Sequence, residues 1–386
     1  MKYILTGGGT GGHVYPALAI KEIIKEQDDK AEFTYAGISG KAEDYIINNL
    51  PEDDRIPFGC IKARGLPRSV NPIKLTYFLI DLLIGFRQSL KIIKSFQPDI
   101  IIATGGYVTA PVILAGRFKK KKIILHEQNS VPGLTNRFLS RFADKVLCTF
   151  PETVKLFKIG KAVAAGYPVR RKMSVQNKET AKKDLNVDPD NKLVFIFGGS
   201  SGAYILNEAV IRNAERLLSK GNITVIHGTG RDKPQGSKLF SDAKKLLDSL
   251  PTAPAENNLY ILMDYIHNIN TVYSACDLVV SRAGAGSIME CAAMGKPVIL
   301  VPKKGLPGNH QELNAKAVSD CGGGIVIKEE MFNDQTILDG EKIIQNITKL
   351  INDPDSLKEM SNNIKNLYTK DTKGLIFNEI ANILKQ

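Results

Sequence analysis

Several familiar sequence classes are excluded by what this chain lacks. Its five cysteines, Cys60, Cys148, Cys276, Cys291 and Cys321, are scattered and form no CxxC pair. They read as reduced packing residues of a cytosolic protein, not as metal ligands or a disulfide frame. No uninterrupted apolar run approaches the roughly 20 residues of a spanning helix. The start, Met1-Lys2-Tyr3-Ile4-Leu5, runs directly into a strand pattern without the charged start, apolar core and cleavage site of a secretory leader. There is no low-complexity tract.

What is present is a globular composition. The chain has 386 residues, 43% of them hydrophobic, enough for two domains of ordinary size. Lys and Arg number 52 against 40 Asp and Glu, a net charge of +12. Such an excess suits nucleic acid, anionic lipid or phosphorylated substrates, or is simply a soluble surface; its position in the chain decides.

Apolar runs alternate with helical patterns from the first residues. A strand at Tyr3-Ile4-Leu5-Thr6 leads into Gly7-Gly8-Gly9-Thr10-Gly11-Gly12-His13 and a helix expected from about Pro16 to Lys25. Glycines let the backbone turn tightly and leave N–H groups open to an anion or a close-fitting ligand. Gly7, Gly9 and Gly12 satisfy GxGxxG, a weak signal alone. A nicotinamide dinucleotide site also wants an acid at the end of the second strand. That strand ends at Ala36-Gly37, with no acid in place. His13, at the loop-to-helix junction, is either structural or well placed as a general base. Later strands end in Thr104-Gly105-Gly106-Tyr107 and in His126-Glu127-Gln128-Asn129, the second more polar than a loop requires.

Residues 71–96 form a long helical pattern with too many apolar positions for one buried stripe: Leu75, Phe78, Leu79, Leu82, Ile84 and Phe86. Arg64, Arg68, Lys74, Arg87, Lys91 and Lys94 are interspersed or adjacent, and Phe118 precedes a run of four lysines. An apolar patch rimmed by bases suits an anionic leaflet. The competing reading is a buried core helix with solvated ends.

A crossover at Gly166-Tyr167-Pro168-Val169-Arg170-Arg171 leads to a second strand and glycine turn, Gly198-Gly199-Ser200-Ser201-Gly202-Ala203. The alternation continues to residues 281–315, which read as strand end, glycine turn, helix, strand and polar loop. Glu290 is the one acid in the small, apolar start of that helix. It can accept hydrogen bonds from two ribose hydroxyls, or it faces solvent as many helix glutamates do. The expected fold class is α/β, two Rossmann-like doubly wound domains facing across a cleft.

The motifs Gly8-Gly9-Thr10-Gly11-Gly12-His13-Val14-Tyr15-Pro16, His126-Glu127-Gln128-Asn129, Pro168-Val169-Arg170, Gly198-Gly199-Ser200-Ser201-Gly202-Ala203 and Ser281-Arg282-Ala283-Gly284-Ala285-Gly286-Ser287, with Glu290 and Asn309-His310-Gln311, occur in order over almost the whole chain. Together they resemble the MurG family of UDP-N-acetylglucosamine:N-acetylmuramyl-(pentapeptide) pyrophosphoryl-undecaprenol N-acetylglucosamine transferases. The resemblance implies the two-domain GT-B glycosyltransferase fold, with an acceptor and membrane domain at 1–165 and a UDP-sugar domain at 166–356. A terminal helix, 357–386, is expected to pack back on the first domain. The implied reaction is inverting transfer of N-acetylglucosamine from UDP-GlcNAc to the C4 hydroxyl of the undecaprenyl-pyrophosphoryl-MurNAc-pentapeptide, giving lipid II at the cytoplasmic face of the membrane.

The resemblance also implies site roles. His13 is the base, with a water or Glu127 as fallback. Thr10, Gly11 and Gly12 close over the sugar, and Asn129 and Gln311 read its hydroxyls. Ser200 and Arg170 attend the diphosphate. Ile266 packs near uracil, and Glu290, with Ala285, Gly286 and Ser287, takes the nucleoside. Asp188-Pro189-Asp190 and Asp353-Pro354-Asp355 have the spacing of a metal motif but lie in polar, Pro-bearing segments and read as turns or caps. No metal, cofactor or nucleic acid is expected. Tyr167 and Ser201 depart from the family's usual Asn and Gln. The alternatives are a UDP-GlcNAc 2-epimerase or other GT-B transferase, a nicotinamide oxidoreductase, and a noncatalytic basic protein.

Overall fold

The runs rich in Ile, Val and Phe become strands covered on both faces, as parallel sheets require. All four residues of Ile100–Ala103 are fully buried. A computed structural model describes every residue except 68–70, 171–172, 220, 234–235, 252–258, 333–334 and 386. Arg68 of the expected basic rim and Arg171 of the crossover lie outside the described residues. The chain divides into two compact units, Met1–Arg171 with Thr369–Gln386, and Lys172–Tyr368.

The first unit holds β1 (Lys2–Thr6), β2 (Glu32–Gly37), β3 (Phe58–Cys60), β4 (Ile100–Ala103), β5 (Lys122–Glu127), β6 (Lys145–Cys148) and β7 (Ala162–Ala164). They form one sheet of order β3-β2-β1-β4-β5-β6-β7, and every neighbouring pair is parallel. The order reverses between β1 and β4. At such a switch point the loops after the two strands splay apart and leave a crevice for ligands. The loops there are the first glycine loop and Thr104-Gly105-Gly106-Tyr107.

The second unit holds β8 (Lys192–Phe197), β9 (Ile223–Gly228), β10 (Tyr260–Met263), β11 (Leu278–Ser281), β12 (Val298–Leu300) and β13 (Gly324–Val326). Their order is β10-β9-β8-β11-β12-β13, again all parallel. Its switch point lies between β8 and β11, where the second glycine loop and Ala283-Gly284 emerge. A short antiparallel pair, β14 (Glu330–Phe332) and β15 (Gln335–Ile337), stands apart from this sheet.

Two elements differ from the sequence expectation, and one decides between two readings of it. The first helix runs Gly11–Gln27 and carries Pro16 inside it. Proline prefers a first turn, which put the expected start at Pro16, but the helix absorbs it and begins five residues earlier. His13 therefore sits in the first turn. The tail is two helices rather than one over 357–386. Pro354–Lys365 stays in the second unit, where Ser361 donates to the Gly295 carbonyl at 2.6 Å. Only Thr372–Leu384 joins the first unit, burying Ile376, Ile380 and Ile383 in its core. Finally, Pro72–Phe96 is not a core helix. Ile73, Leu75, Tyr77, Leu79, Ile80 and Leu83 are all exposed, and only Gly85, Ser89 and Ile93 are buried.

Each core contains one dry histidine. In the first unit, Nε2 of His126 donates to the Gly166 carbonyl at 3.0 Å. In the second, Nε2 of His227 donates to Asn207 at 3.1 Å while Nδ1 accepts from the Tyr260 hydroxyl at 2.8 Å. Burial pulls His126 from the usual 6.5 down to about 4, against a smaller upward effect of its bond to Gly166. Burial alone pulls His227 to about 3. Both depressed values favour the neutral ring in the fold. Their stabilisation is complete above pH 6.5 and is lost as pH falls toward 4 and 3. Urea unfolding should show stability falling below pH 6.5 by up to about 1.4 kcal/mol per pH unit for each histidine. Replacing both by glutamine should flatten most of that slope above pH 5; an unchanged slope would contradict the assignment.

Candidate active site

In the first unit three strand ends converge through the carbonyl of Thr104. Nδ1 of His13 donates to it at 3.0 Å and the Gln128 amide at 2.7 Å. The Thr104 hydroxyl in turn donates to the His13 carbonyl at 2.5 Å. Gly7 makes this approach possible, because a Cβ there would overlap the Thr104 hydroxyl. A carbonyl can only accept, so the contact fixes the proton of neutral His13 on Nδ1 and leaves the ring lone pair on Nε2. That is the form in which an imidazole receives a proton.

Glu127, the expected fallback base, is tied into the scaffold. It is 1% exposed. Oε1 accepts from the Asn129 backbone at 3.0 Å and its amide at 3.2 Å, and Oε2 accepts from Gly133 N at 3.1 Å and the Asn136 amide at 2.9 Å. Four donors occupy the carboxylate, which therefore shapes residues 129–136 and orients the half-buried Asn129. It has no lone pair turned to a substrate hydroxyl.

The acid missing from the end of β2 is supplied by the next helix. Glu43, on Ala42–Asn48, is fully buried. Its carboxylate accepts from Gly9 N at 3.0 Å and Ile38 N at 3.3 Å. Gly8 and Gly37 leave the room it fills. This is where a dinucleotide's ribose would reach its acid, and here the protein's own side chain closes the place. The GxGxxG match in the first loop thus has a structural explanation that needs no nicotinamide. Thr10 and Gly12 are exposed at the start of the helix, and Gly11 is buried. The Arg170 guanidinium lies over the Tyr15 ring, 4.8 Å from its centroid, on the same helix as His13.

In the second unit the glycine loop after β8 exposes Ser200 and Ser201 ahead of the helix Tyr204–Ile211. No carboxylate is recorded on its N–H groups among the described residues. After β11 the chain enters the helix Ala285–Met294, with Gly284 as N-cap, so Ala285, Gly286 and Ser287 form its first turn. Glu290 follows one turn later, half-buried, and its Oε2 accepts from the Tyr273 hydroxyl at 3.2 Å. Ile266 packs against Gly228 at the end of β9. Gln311 stands in the first turn of His310–Asp320, its Oε1 accepting from Lys303 N at 2.9 Å. The loop between them is anchored by Arg282 and Glu329, paired at 2.6 Å and nearly dry. Arg282 also donates to the Val301 carbonyl at 3.1 Å, and Glu329 accepts from Lys304 N at 2.9 Å. Asp188 accepts from Asp190 N within a turn, and Asp353 caps Pro354–Lys365.

Residues 3–148 match the glycosyltransferase family 28 N-terminal domain, and residues 193–375 match the family 28 C-terminal domain. A Finegoldia magna protein named UDP-N-acetylglucosamine--N-acetylmuramyl-(pentapeptide) pyrophosphoryl-undecaprenol N-acetylglucosamine transferase is 36% identical, over 100% of this chain and 99% of that one. The chain belongs to the MurG family. A Desulforudis audaxviator protein of the same name is 38% identical over 93% of this chain and 92% of its own. Among solved structures, Acinetobacter baumannii MurG superposes with a TM-score of 0.68 at 21% identity, covering 100% and 99% of the two chains. A UDP-GlcNAc 2-epimerase from Neisseria meningitidis, bound to UDP-GlcNAc, reaches 0.64 at 12% identity over 99% and 100%. At these identities the two structures establish the shared GT-B fold.

Sequence reasoning missed Glu43, Tyr273 and Glu329, and it quoted Gln128 and Arg282 within motifs without giving either a role. Glu43 left only the trace of an acid placed shortly after β2. The role of Glu127 is testable. Glu127→Gln turns an NH2 group toward two N–H donors, and it should cost about 2–4 kcal/mol of stability. Thermal unfolding checks this; loss of turnover with an unaltered melting curve would restore Glu127 as a base.

Proposed function

We propose that the chain is the inverting transferase that moves N-acetylglucosamine from UDP-GlcNAc to the C4 hydroxyl of the undecaprenyl-pyrophosphoryl-MurNAc-pentapeptide, forming lipid II for peptidoglycan. The observation that carries this is the relation to named transferases along the whole chain, at 36% identity. In this reading the acceptor O4 bonds to the anomeric carbon from the face opposite the diphosphate. The C1–O bond to phosphate breaks and UDP leaves with its electron pair. The O4 proton passes to Nε2 of His13, the nitrogen that the Thr104 contact keeps unprotonated.

The first unit then serves the acceptor, with Thr10, Gly11, Gly12 and Asn129 at the sugars. The second serves the donor. Ser200 and the loop N–H groups hold the diphosphate, an effect of about 0.3–1 kcal/mol per exposed interaction at a helix start. Arg170 adds a cation to the phosphates. Glu290 takes the ribose hydroxyls, Ile266 lies against uracil, Ala285, Gly286 and Ser287 line the nucleoside, and Gln311 reads the donor sugar. Incubating the protein with labelled UDP-GlcNAc and a lipid I analogue, with chelator present, should give the disaccharide lipid. No product under conditions that support a known transferase would refute the proposal. His13→Ala should lower kcat by about 10²–10⁴-fold while UDP affinity stays within twofold. Near-normal turnover would remove His13 from the role of base.

A lipid-anchored acceptor fits the exposed helix Pro72–Phe96. Leu79, Leu82, Leu83, Phe86, Leu114 and Phe118 line a shallow apolar groove, and the exposed Lys74, Arg87, Lys91 and Lys119 lie on the same two elements or beside them. We assign this face to an anionic leaflet, which places the protein peripherally at the cytoplasmic side of the cell membrane. No helix among the described residues is long and apolar enough to cross a membrane. The double variant Leu79→Glu/Leu83→Glu should lose co-sedimentation with phosphatidylglycerol vesicles, yet transfer to a water-soluble acceptor at the wild-type rate. Undiminished vesicle binding would rule out this face.

A further inference from the structure

Tyr273 has no place in the reaction described so far, although its hydroxyl is one of the few polar groups enclosed in the core of the second unit. It lies on the helix Ile269–Ala275 and is fully buried. Its ring stands edge-on to Phe195 and Phe197 of β8, with centroids at 5.5 and 6.3 Å. Those two rings are themselves stacked at 4.6 Å. The tyrosine is therefore held by the sheet and cannot turn aside. Its hydroxyl points out of this aromatic cluster at Oε2 of Glu290, 3.2 Å away. Burial, with contributions from Cys291 and Glu290, keeps the phenol well above its ordinary titration range. A phenol facing a carboxylate can only donate.

We propose that Tyr273 is a positioning residue that aims Glu290 at the sugar of the nucleotide, and that the pair makes the donor site selective for ribonucleoside over deoxyribonucleoside diphosphates. The inference rests on the reading of Glu290 as the ribose ligand. The physical reason is freedom of rotation. A glutamate on a helix surface has three side-chain torsions, and ordering them on ligand binding opposes affinity. Tyr273 fixes one carboxylate oxygen in advance. The carboxylate then keeps one direction, toward which two vicinal hydroxyls can donate together. A sugar lacking one hydroxyl leaves an acceptor unpaired and is rejected by a site built in this way. With Tyr273 absent, the carboxylate adjusts to whichever hydroxyl remains, and both affinity and discrimination decline.

Tyr273→Phe preserves the ring and its packing, so it separates positioning from folding. UDP, 2′-deoxy-UDP and 3′-deoxy-UDP would be titrated calorimetrically into the full-length wild type, Tyr273→Phe, Glu290→Ala and the double variant. Tyr273→Phe is expected to weaken UDP about tenfold, the effect of one hydrogen bond to a charged group. It should also shrink the penalty for either deoxy analogue. KM for the sugar nucleotide should rise by a similar factor, with kcat at saturating donor within about twofold. The double variant should bind UDP no more weakly than Glu290→Ala, because Tyr273 acts only through Glu290. Unchanged UDP affinity and unchanged discrimination in Tyr273→Phe would overturn the positioning role alone. Wild-type protein binding UDP and its deoxy analogues equally, or Glu290→Ala binding UDP as wild type does, would overturn the ribose reading of Glu290 itself. If Tyr273→Phe does not fold, Glu290→Asp withdraws the carboxylate from the phenol and serves instead. It should show the same loss of discrimination, and wild-type discrimination there would refute the proposal.

Discussion

A single backbone carbonyl ties together the loops at the switch point of the first sheet. Thr104 O accepts from Nδ1 of His13 and from the Gln128 amide, so the ends of β1, β4 and β5 meet on one atom. Without that contact the neutral imidazole would distribute its proton between two nitrogens. With it, the proton of the neutral ring stays on Nδ1. The requirement propagates outward. Gly7 must lack a side chain to admit the Thr104 hydroxyl, and Gln128 must be buried to share its carbonyl. Glu127, next in sequence, uses its whole carboxylate to hold the turn that follows. The polarity of His126-Glu127-Gln128-Asn129 is thus mostly internal support for the turn after β5 and for the contact of His13 with Thr104.

The two glycine loops are similar in sequence and differ in one carboxylate. Both follow the first strand of a parallel sheet and open a helix, the arrangement that presents N–H groups to anions. In the first loop the protein's own carboxylate, Glu43, already takes Gly9 N. A second anion at that atom would displace it or meet like charge. Among the described residues no carboxylate lies on the N–H groups of the loop at Gly198-Gly199-Ser200-Ser201-Gly202, which supports the proposal that the diphosphate of the donor meets the second loop. The difference lies in one side chain 34 residues away from the atom it binds.

The sheets, the two switch-point loops and the placement of His13, Ser200 and Glu290 at strand ends were legible in the sequence. They follow from short-range signals: β-branched runs, glycine turns and the alternation of periods. What could not be read were contacts between residues distant in sequence. Glu43 and Gly9, Arg282 and Glu329, and Tyr273 and Glu290 are each brought together by the sheet order. The four donors on Glu127 could not be read either, because a carboxylate in a polar cluster looks the same whether its acceptor positions face substrate or the protein's own N–H groups. The helix start at Gly11 escaped for a local reason. Pro16 is usually a beginning, and here the surrounding fold overrides that preference.

The helix Pro72–Phe96 was legible as an excess of apolar positions, and the structure shows which of them the fold uses. Helical residues advance by about 100°, so Ile73, Leu75, Tyr77, Leu79, Ile80 and Leu83 cover roughly 200° of the circumference. A helix that only packs on its own domain needs an apolar stripe about half as wide. Here the packing stripe is the narrow one, Gly85, Ser89 and Ile93, against which Thr109–Phe118 is laid. The wide apolar face is the exposed one, and it contributes nothing to the folded unit in water. Scattered exposed apolar residues are ordinary, but a continuous face with bases beside it is not. In the membrane reading proposed above, its stabilisation comes from the apolar phase of the leaflet, the phase in which a substrate carried on an undecaprenyl chain is found.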